Sequence, residues 1–300
     1  MQILKDDDPQ EVYRRRNDED KKSISWGQRK LLLSLISFLS NHCMDVKNKV
    51  ILYAGSAPGV NIGIVADMFP DFTWHLYDPC KFKLKTDIKR KIIIYQKRFT
   101  DLTAKYWANK NIIFISDIRT ADYTKINNLT ENENQILSDM EMQKKWVEII
   151  KPSRTQLKFR LNYTGDGRNE EMVYFDGLLY KQAWAPQTSS ETRLVIPSPE
   201  LKYKTYDCKK YEYQMFYHNV TVREKEFFEN DIVDGKELVN DWDSCCEVEI
   251  WKNCLGKDEN NILDLSQKAT KLLTINRKYQ DTLSYLRENP QAIKLRNFKK

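Results

Sequence analysis

Between Val50 and Ile150 the chain repeats one unit, a short apolar run followed by a helical or polar stretch, and this alternation restricts the fold more than any other feature. The apolar runs are Val50–Tyr53, Phe72–Tyr77, Ile92–Tyr95 and Ile112–Ile115, all rich in β-branched or aromatic residues. Helix-compatible segments lie between and after them at Asn61–Phe69, Thr100–Ala108 and Asn132–Ile150, the last closed by Pro152. Near-continuous apolar strands separated by helices predict an α/β fold, with a mostly parallel central sheet and helices on both faces. A further helix should precede the first strand, because Leu31, Leu32, Leu35, Ile36 and Leu39 recur on one face between Gly27 and about Asn41. Beyond Pro152 the pattern turns to strands without helices (Thr155–Leu161, Leu178–Ala183, Arg193–Ile196), which predicts a meander attached to the sheet. After residue 200 strand-like and helix-like stretches mix, and no internal repeat is visible.

Three hundred residues are ample for a hydrophobic core, and 41% hydrophobic with 31% charged residues is the composition of a folded chain. The first 25 residues mix Asp6–Asp8 with Arg14–Arg16 and read as a mobile arm, followed by a core over 26–200 and an extension over 201–300 packed on the same domain. The net charge of +6 is unevenly placed. Lys81 to Arg98 holds eight basic residues against Asp87 alone, Arg223 to Glu259 holds five basic and twelve acidic ones, and the last fifteen residues carry a surplus of four positive charges. The acidic stretch reads as a solvated face; the basic run, lying between two strands, reads either so or as the rim of a nucleic-acid surface. The start, MQILKDDDP, lacks the basic-then-apolar order of a secretory signal, and Leu31–Leu39 falls far short of the ~20 residues of a membrane span. Six cysteines without a CxxC pair and three scattered histidines predict buried thiols in a reducing compartment and no metal site.

The run VILYAGSAPGVNI carries the first chemical information. A buried strand ends at Tyr53, and Gly55-Ser56-Ala57-Pro58-Gly59 turns into a helix, its glycines allowing close backbone approach to a ligand. A full GxGxxG is missing and no Gly-Lys-Ser/Thr follows, which argues against a nucleoside-triphosphate loop. Nineteen residues after Gly59 the second strand ends in Asp78, where an acid can bind ribose hydroxyls; turn plus acid point to an adenosine-containing ligand or, more plainly, to a tight turn with a surface Asp. Asp117 emerges after the fourth strand, at the edge where open α/β sheets bind ligands. In TQLKFRL, Leu157, Phe159 and Leu161 face one way and Lys158 and Arg160 the other. Taken singly, Lys158, Glu191 and Lys30 are unremarkable.

Together they resemble a known family. WGQRKLLL (26–33), LYAGSAPG (52–59), LYDP (76–79), RFTD (98–101), ISDIR (115–119), LKFR (157–160), SSETRL (189–194) and YEYQMFYHN (211–219) are similar, in this order, to the poxvirus-type cap-specific mRNA (nucleoside-2′-O-)-methyltransferases, whose members also serve as poly(A) polymerase regulatory subunits. The resemblance implies a Rossmann-like S-adenosylmethionine-dependent methyltransferase fold and transfer of a methyl group to the ribose 2′-OH of the first transcribed nucleotide of m7G-capped mRNA, converting cap 0 to cap 1. It implies a catalytic tetrad of Lys30, Asp117, Lys158 and Glu191, with Lys158 as base, and cofactor contacts at Gln28, Tyr53, Gly55, Ala57, Gly59, Asp78 and Thr100. Cys80 stands where the family carries an Arg beside the cofactor; neighbouring Lys81 is a substitute. For the capped RNA it implies Tyr163 and Glu212 at the methylated guanine, and Arg119 and Arg193 at phosphates. The family's second stacking ring falls on Thr188, leaving Trp184 or Tyr180 to supply that face. Two alternatives stand beside this reading: a regulatory or processivity subunit of a viral poly(A) polymerase, with or without methylation, and a 2′-O-methyltransferase for RNA without a cap. By the same resemblance the source is a large DNA virus, and the place of action is the host cytoplasm or the virion.

Overall fold

The computed structural model describes residues 2–16, 22–120, 129–163, 170–235, 237–255 and 259–273. The basic last fifteen residues lie outside them. In chain order the first half runs α1 (Gly27–His42), β1 (Val50–Ala54), α2 (Ile62–Met68), β2 (Thr73–Tyr77), β3 (Ile92–Tyr95), α3 (Asp101–Trp107), β4 (Ile113–Ser116), α4 (Leu129–Ile150) and β5 (Arg154–Phe159). The second half adds β6 (Glu171–Phe175), β7 (Leu178–Tyr180), β8 (Thr192–Ile196), β9 (Tyr203–Asp207), α5 (Cys208–Tyr217), a π-helical turn (His218–Val222), α6 (Arg223–Lys225), α7 (Trp242–Leu255) and α8 (Glu259–Leu273).

Seven strands form one sheet in the order β3-β2-β1-β4-β5-β8-β7. The pairs from β3 to β5 are all parallel, whereas β8 runs antiparallel to both β5 and β7. The α/β sheet expected from the alternation is therefore present, with the direction of strand succession reversing between β1 and β4. The expected meander is not. Consecutive strands would have neighboured one another, but β8 inserts between β5 and β7, and β6 leaves the sheet to pair with β9. The physical reason is burial: all five β8 residues are buried, as a central strand requires, while β7 is three residues long and only partly buried, as suits an edge.

Period-two alternation divides the strands between two cores. Ile51, Tyr53, Ile113, Ile115 and Val195 face the core that contains α1, α2 and α7 residues. Leu52, Ala54, Phe114, Leu157, Phe159, Leu194 and Ile196 face the other, with Trp107 of α3 and Met140 and Trp146 of α4. Lys158, between Leu157 and Phe159, consequently points to the α1 side.

Helix α1 is held from behind by a buried ion pair. Arg29 donates to both Glu247 oxygens, at 2.7 and 2.6 Å, and Glu247 also accepts from the ring N–H groups of Trp184 and Trp251. Every polar atom of the pair thus has a partner, the condition under which a buried charge is tolerated. Within the segment read as an arm, residues 2–16 lie against the body. Ile3 bridges Tyr180 antiparallel on the β7 edge, and the Leu4 N–H donates to the Leu179 carbonyl at 2.7 Å. Among the described residues no helix is long and apolar enough to cross a membrane, no group of His, Cys, Asp or Glu is placed to hold a metal ion, and the six cysteines are free thiols.

Candidate active site

The turn after β1 and the end of β4 meet at the point where strand succession reverses, the place where open α/β sheets hold ligands. Gly55 has φ +80°, and a Cβ there would lie 2.8 Å from the backbone carbon of Asp117. Only glycine lets the two strand ends close this far. Backbone bonds lock the junction: the Asp117 N–H donates to the Ala54 carbonyl and the Gly55 N–H to the Tyr77 carbonyl, both at 2.9 Å. Gly59, at φ +73°, ends the same turn.

Asp78, at the tip of β2, was expected to face a ribose. Its carboxylate accepts from the Ala57 N–H at 3.0 Å and the Cys80 N–H at 2.7 Å, so it braces the glycine turn while keeping unused lone pairs. Cys80 is exposed. Thr100 caps α3 by accepting from the Thr103 N–H at 3.3 Å. Burial, then the Asp117 carboxylate, push the Tyr53 phenol above its ordinary range. The residues present fit an adenosine-bearing cofactor on one further count: Gln28 Oε1 and Asn61 Nδ2 are buried without a hydrogen-bond partner. Buried amide atoms of this kind call for a ligand or water.

The structure brings Lys30, Asp117, Lys158 and Glu191 together. Lys30, in the first turn of α1, places Nζ 2.6 Å from Glu191 Oε1. Lys158 on β5 places Nζ 3.1 Å from Asp117 Oδ1 and 3.4 Å from Glu191 Oε2. Glu191 reaches them because it immediately precedes β8, whose reversed direction starts it at the carboxyl end of the parallel strands. Gln182 fixes it there, donating from Nε2 to the Glu191 backbone oxygen at 3.1 Å and to Oε1 at 3.3 Å. Sequence reasoning missed Gln182, which carries no motif.

Arg193 departs from its expected role. It was placed among phosphate contacts, yet its side chain is 3% exposed, with Nη1 2.7 Å from Asp117 Oδ1 and Nε 2.8 Å from Gln182 Oε1. As the cross-strand partner of Lys158 it must share that residue's face of the sheet, which turns it inward. Arg119 keeps a partly exposed position, with Nη2 3.5 Å from Glu191 Oε2. Four cations therefore share two carboxylates. Burial alone would raise the Glu191 carboxyl, but Lys158, Lys30 and Arg193 together hold it well below the usual range. Asp117 is lowered in the same way, burial being outweighed by Arg193 and Lys158. Lys30 is lowered, chiefly by burial, against the pull of Glu191 and with the push of Arg193 and Lys158.

Beside this cluster lies a pair of rings. The Tyr163 hydroxyl accepts from Ser190 Oγ at 3.4 Å, next to Glu191, and the Arg160 guanidinium lies 4.4 Å from its ring centroid. Neither ring proposed to oppose Tyr163 is available: Trp184 is fully buried with its N–H on Glu247, and the Tyr180 hydroxyl lies 2.8 Å from His42 Nε2. Tyr13 takes the place, its ring near-parallel to Tyr163 (20°) at a centroid separation of 6.4 Å, and edge-on to Phe216 at 5.3 Å. Phe216 and Glu212 are four residues apart on α5, hence on one helix face, so Glu212 stands on the Tyr13 side. The only cue to Tyr13 was an aromatic in a charge-mixed segment. Thr188 is exposed.

Comparisons with known proteins identify the family. The family model described as "Poly A polymerase regulatory subunit" matches residues 2–244, and the chain belongs to that family. Its relatives include proteins named cap-specific mRNA (nucleoside-2′-O-)-methyltransferase. That of Fowlpox virus (strain NVSL) is 29% identical over 231 residues, 70% of this chain and 72% of the relative. That of Myxoma virus (strain Lausanne) is 28% identical over 226 residues, 70% of this chain and 65% of the relative. Among solved structures, bluetongue virus VP4, described as a multifunctional RNA-capping production-line, overlays with a TM-score of 0.44 at 12% identity, covering 92% of this chain and 53% of that one.

Proposed function

We propose that this chain is an S-adenosylmethionine-dependent cap-specific mRNA methyltransferase that acts on the ribose 2′-OH of the first transcribed nucleotide, converting cap 0 to cap 1. The observation that carries the reading is the packing of the Lys30 and Lys158 amines against Asp117 and Glu191, beside the Gly55 turn. The names of the relatives support the activity class.

When bound, S-adenosylmethionine supplies an electrophilic methyl on a sulfonium; Gln28, Tyr53, Gly55, Ala57, Gly59, Asp78 and Thr100 are the residues that would hold it. The protein's own task is to aim the 2′-oxygen and take its proton. Lys158 Nζ does this. A lysine can act as base only when one of its protons is off. Lys30 and Arg193 place positive charge beside it, while Asp117 and Glu191 hold the amines in position. Tyr13 and Tyr163 take the cationic methylguanine between them: two van der Waals spacings of ~3.5 Å make about 7 Å, close to the observed ring separation. Glu212 accepts from the edge of the base. Arg119 meets phosphate at the rim.

The test incubates the protein with labelled S-adenosylmethionine and RNA that is m7G-capped, G-capped or uncapped. Transfer to the m7G-capped RNA alone is expected; transfer indifferent to the cap would replace this reading with a non-cap methyltransferase. The family description favours a second role, as regulatory subunit of a poly(A) polymerase, compatible with the first. Co-purification of a polymerase catalytic subunit with no methyl transfer would make that role the whole function. A cytoplasmic or virion location belongs to the same proposal.

A further inference from the structure

We propose that the N-terminal segment is a strap that sets affinity for the capped end of the RNA, with Gln214 and the Arg16–Glu224 pair as its positioning residues. The inference rests on the reading of Tyr13 and Tyr163 as the slot for the methylated base.

The strap is fastened on both sides of Tyr13. On the N-terminal side, the Lys181 N–H donates to the Gln2 carbonyl at 2.6 Å, and Lys181 Nζ lies 2.9 Å from Asp8 Oδ2. Gln214 Nε2 then faces three strap carbonyls, those of Lys5, Asp6 and Asp8, at 2.9, 3.4 and 3.1 Å. The Glu11 N–H donates to the Tyr213 carbonyl at 3.2 Å. On the C-terminal side, Arg16 grips Glu224 with both terminal nitrogens, at 3.0 and 2.7 Å, and the two side chains are only 5% and 4% exposed. Ser23 Oγ lies 3.5 Å from the same carboxylate.

Between these anchors the segment meets the body through side chains: Tyr13 faces Tyr163 and Phe216, and the Arg14 guanidinium lies 5.8 Å from the Phe216 ring centroid. Val12 and Tyr13 are 66% and 52% exposed, so packing alone does not fix the Tyr13 ring. A segment outside helix and strand has carbonyls with no ladder to satisfy them, and Gln214 uses a side-chain amide to do so. Gln214 lies on α5, the helix that also carries Glu212 and Phe216. One helix thus holds the strap, edges the Tyr13 ring and presents the acid. The bidentate Arg16–carboxylate fork defines a direction as well as a distance. The consequence is preorganisation: Tyr13 is already opposite Tyr163, so stacking a base does not first require ordering the segment. Loosening either anchor restores that ordering cost and is felt in cap affinity, not in the methyl-transfer step.

The test measures binding of m7GpppG by titration calorimetry, together with steady-state methyl transfer to m7G-capped RNA. Gln214→Ala and Arg16→Met should each weaken m7GpppG binding about tenfold, or ~1.4 kcal/mol. KM for capped RNA should rise in the same ratio, with kcat and S-adenosylhomocysteine binding at wild-type values. Arg16→Lys, which keeps the charge but loses the fork, should weaken binding less than Arg16→Met does. In a Tyr13→Ala background neither substitution should weaken binding further, because the strap acts only through that ring. Tyr13→Ala with unchanged cap binding would remove the slot reading itself. If Tyr13→Ala weakens binding but Gln214→Ala and Arg16→Met do not, or if the losses add in the Tyr13→Ala background, the strap is overturned. Arg16 lies outside every helix and strand, so its variants keep the test open should Gln214→Ala fail to fold.

Discussion

Lys158 and Arg193 are direct cross-strand partners on β5 and β8, two cations side by side, and both reach one oxygen of Asp117, at 3.1 and 2.7 Å. Like charges in that position repel. The arrangement persists because Asp117 and Glu191 lie between them, and it leaves the lysine beside a cation that cannot give up its proton.

Replacing Lys158 with Met should abolish methyl transfer, a fall of at least ~10²-fold, while S-adenosylhomocysteine binding stays intact. Labelled-methyl assays and calorimetry on the same sample check both halves. Wild-type rates in Lys158→Met would sink its assignment as base.

Arg193→Gln should destabilise the fold by about 3–5 kcal/mol, because two buried carboxylates lose a cation. The pH dependence follows from their depressed values. In the wild type, this stabilisation is fully present above the unfolded carboxylate range near about 4 and is lost as pH falls through the lower folded values. In the variant the folded values move back up, so acid should remove less stability. Urea unfolding at several pH values reads the difference, and an unchanged acid slope would show that Arg193 does not hold the carboxylates down.

Gly55→Ala should reduce both cofactor affinity and turnover. The new Cβ meets Asp117 and Ile118 backbone at 2.8 Å in a left-handed conformation, so the junction between β1 and β4 must open. A stability cost above ~1 kcal/mol is expected from the backbone conformation alone. Thermal unfolding and cofactor titration would reveal it; a fully active, equally stable variant would contradict the close approach.

On the far side of α1, Arg29→Met should cost about 3–5 kcal/mol by leaving Glu247 buried and unpaired. Adding Glu247→Gln should recover part of that loss, since the orphaned charge is then gone. Denaturant melts of the two single variants and the double variant provide the comparison.

The parallel half of the sheet was legible because its signals are local. Each strand from β1 to β4 is an apolar run bounded by polar residues, and the Gly55 turn and Asp117 follow directly from strand ends. The insertion of β8 between β5 and β7 was not legible, since nothing near Thr192–Ile196 encodes which neighbour it takes. Lys30, Asp117, Lys158 and Glu191 were named through family motifs, whereas the distances between them depend on that insertion. Arg193 read as an RNA contact through the same family motifs; its register opposite Lys158 turned it inward. Tyr13 was invisible for the converse reason. Its segment has no periodicity, and hydrogen bonds from α5, some two hundred residues away, determine its place.

The reversed direction of β8 also divides the site into two halves within one chain. Everything grouped around the cofactor reading comes from α1, β1, β2, α3 and their turns, read in one direction along the sequence. The groups proposed for the acceptor come mainly from β5, the start of β8, α5 and the segment α5 holds, joined by Lys30 of α1 and Arg119 after β4. Asp117 and Glu191 are the seam. On the proposed reading, changes in α5 can therefore alter which RNA end is received without touching the glycine turn that would hold the methyl donor. The loop between β7 and β8, by contrast, is tied to α1 through the Trp184 carbonyl, which accepts from the Trp26 N–H at 2.8 Å. A lineage could retarget such an enzyme by rewriting one side of its sheet.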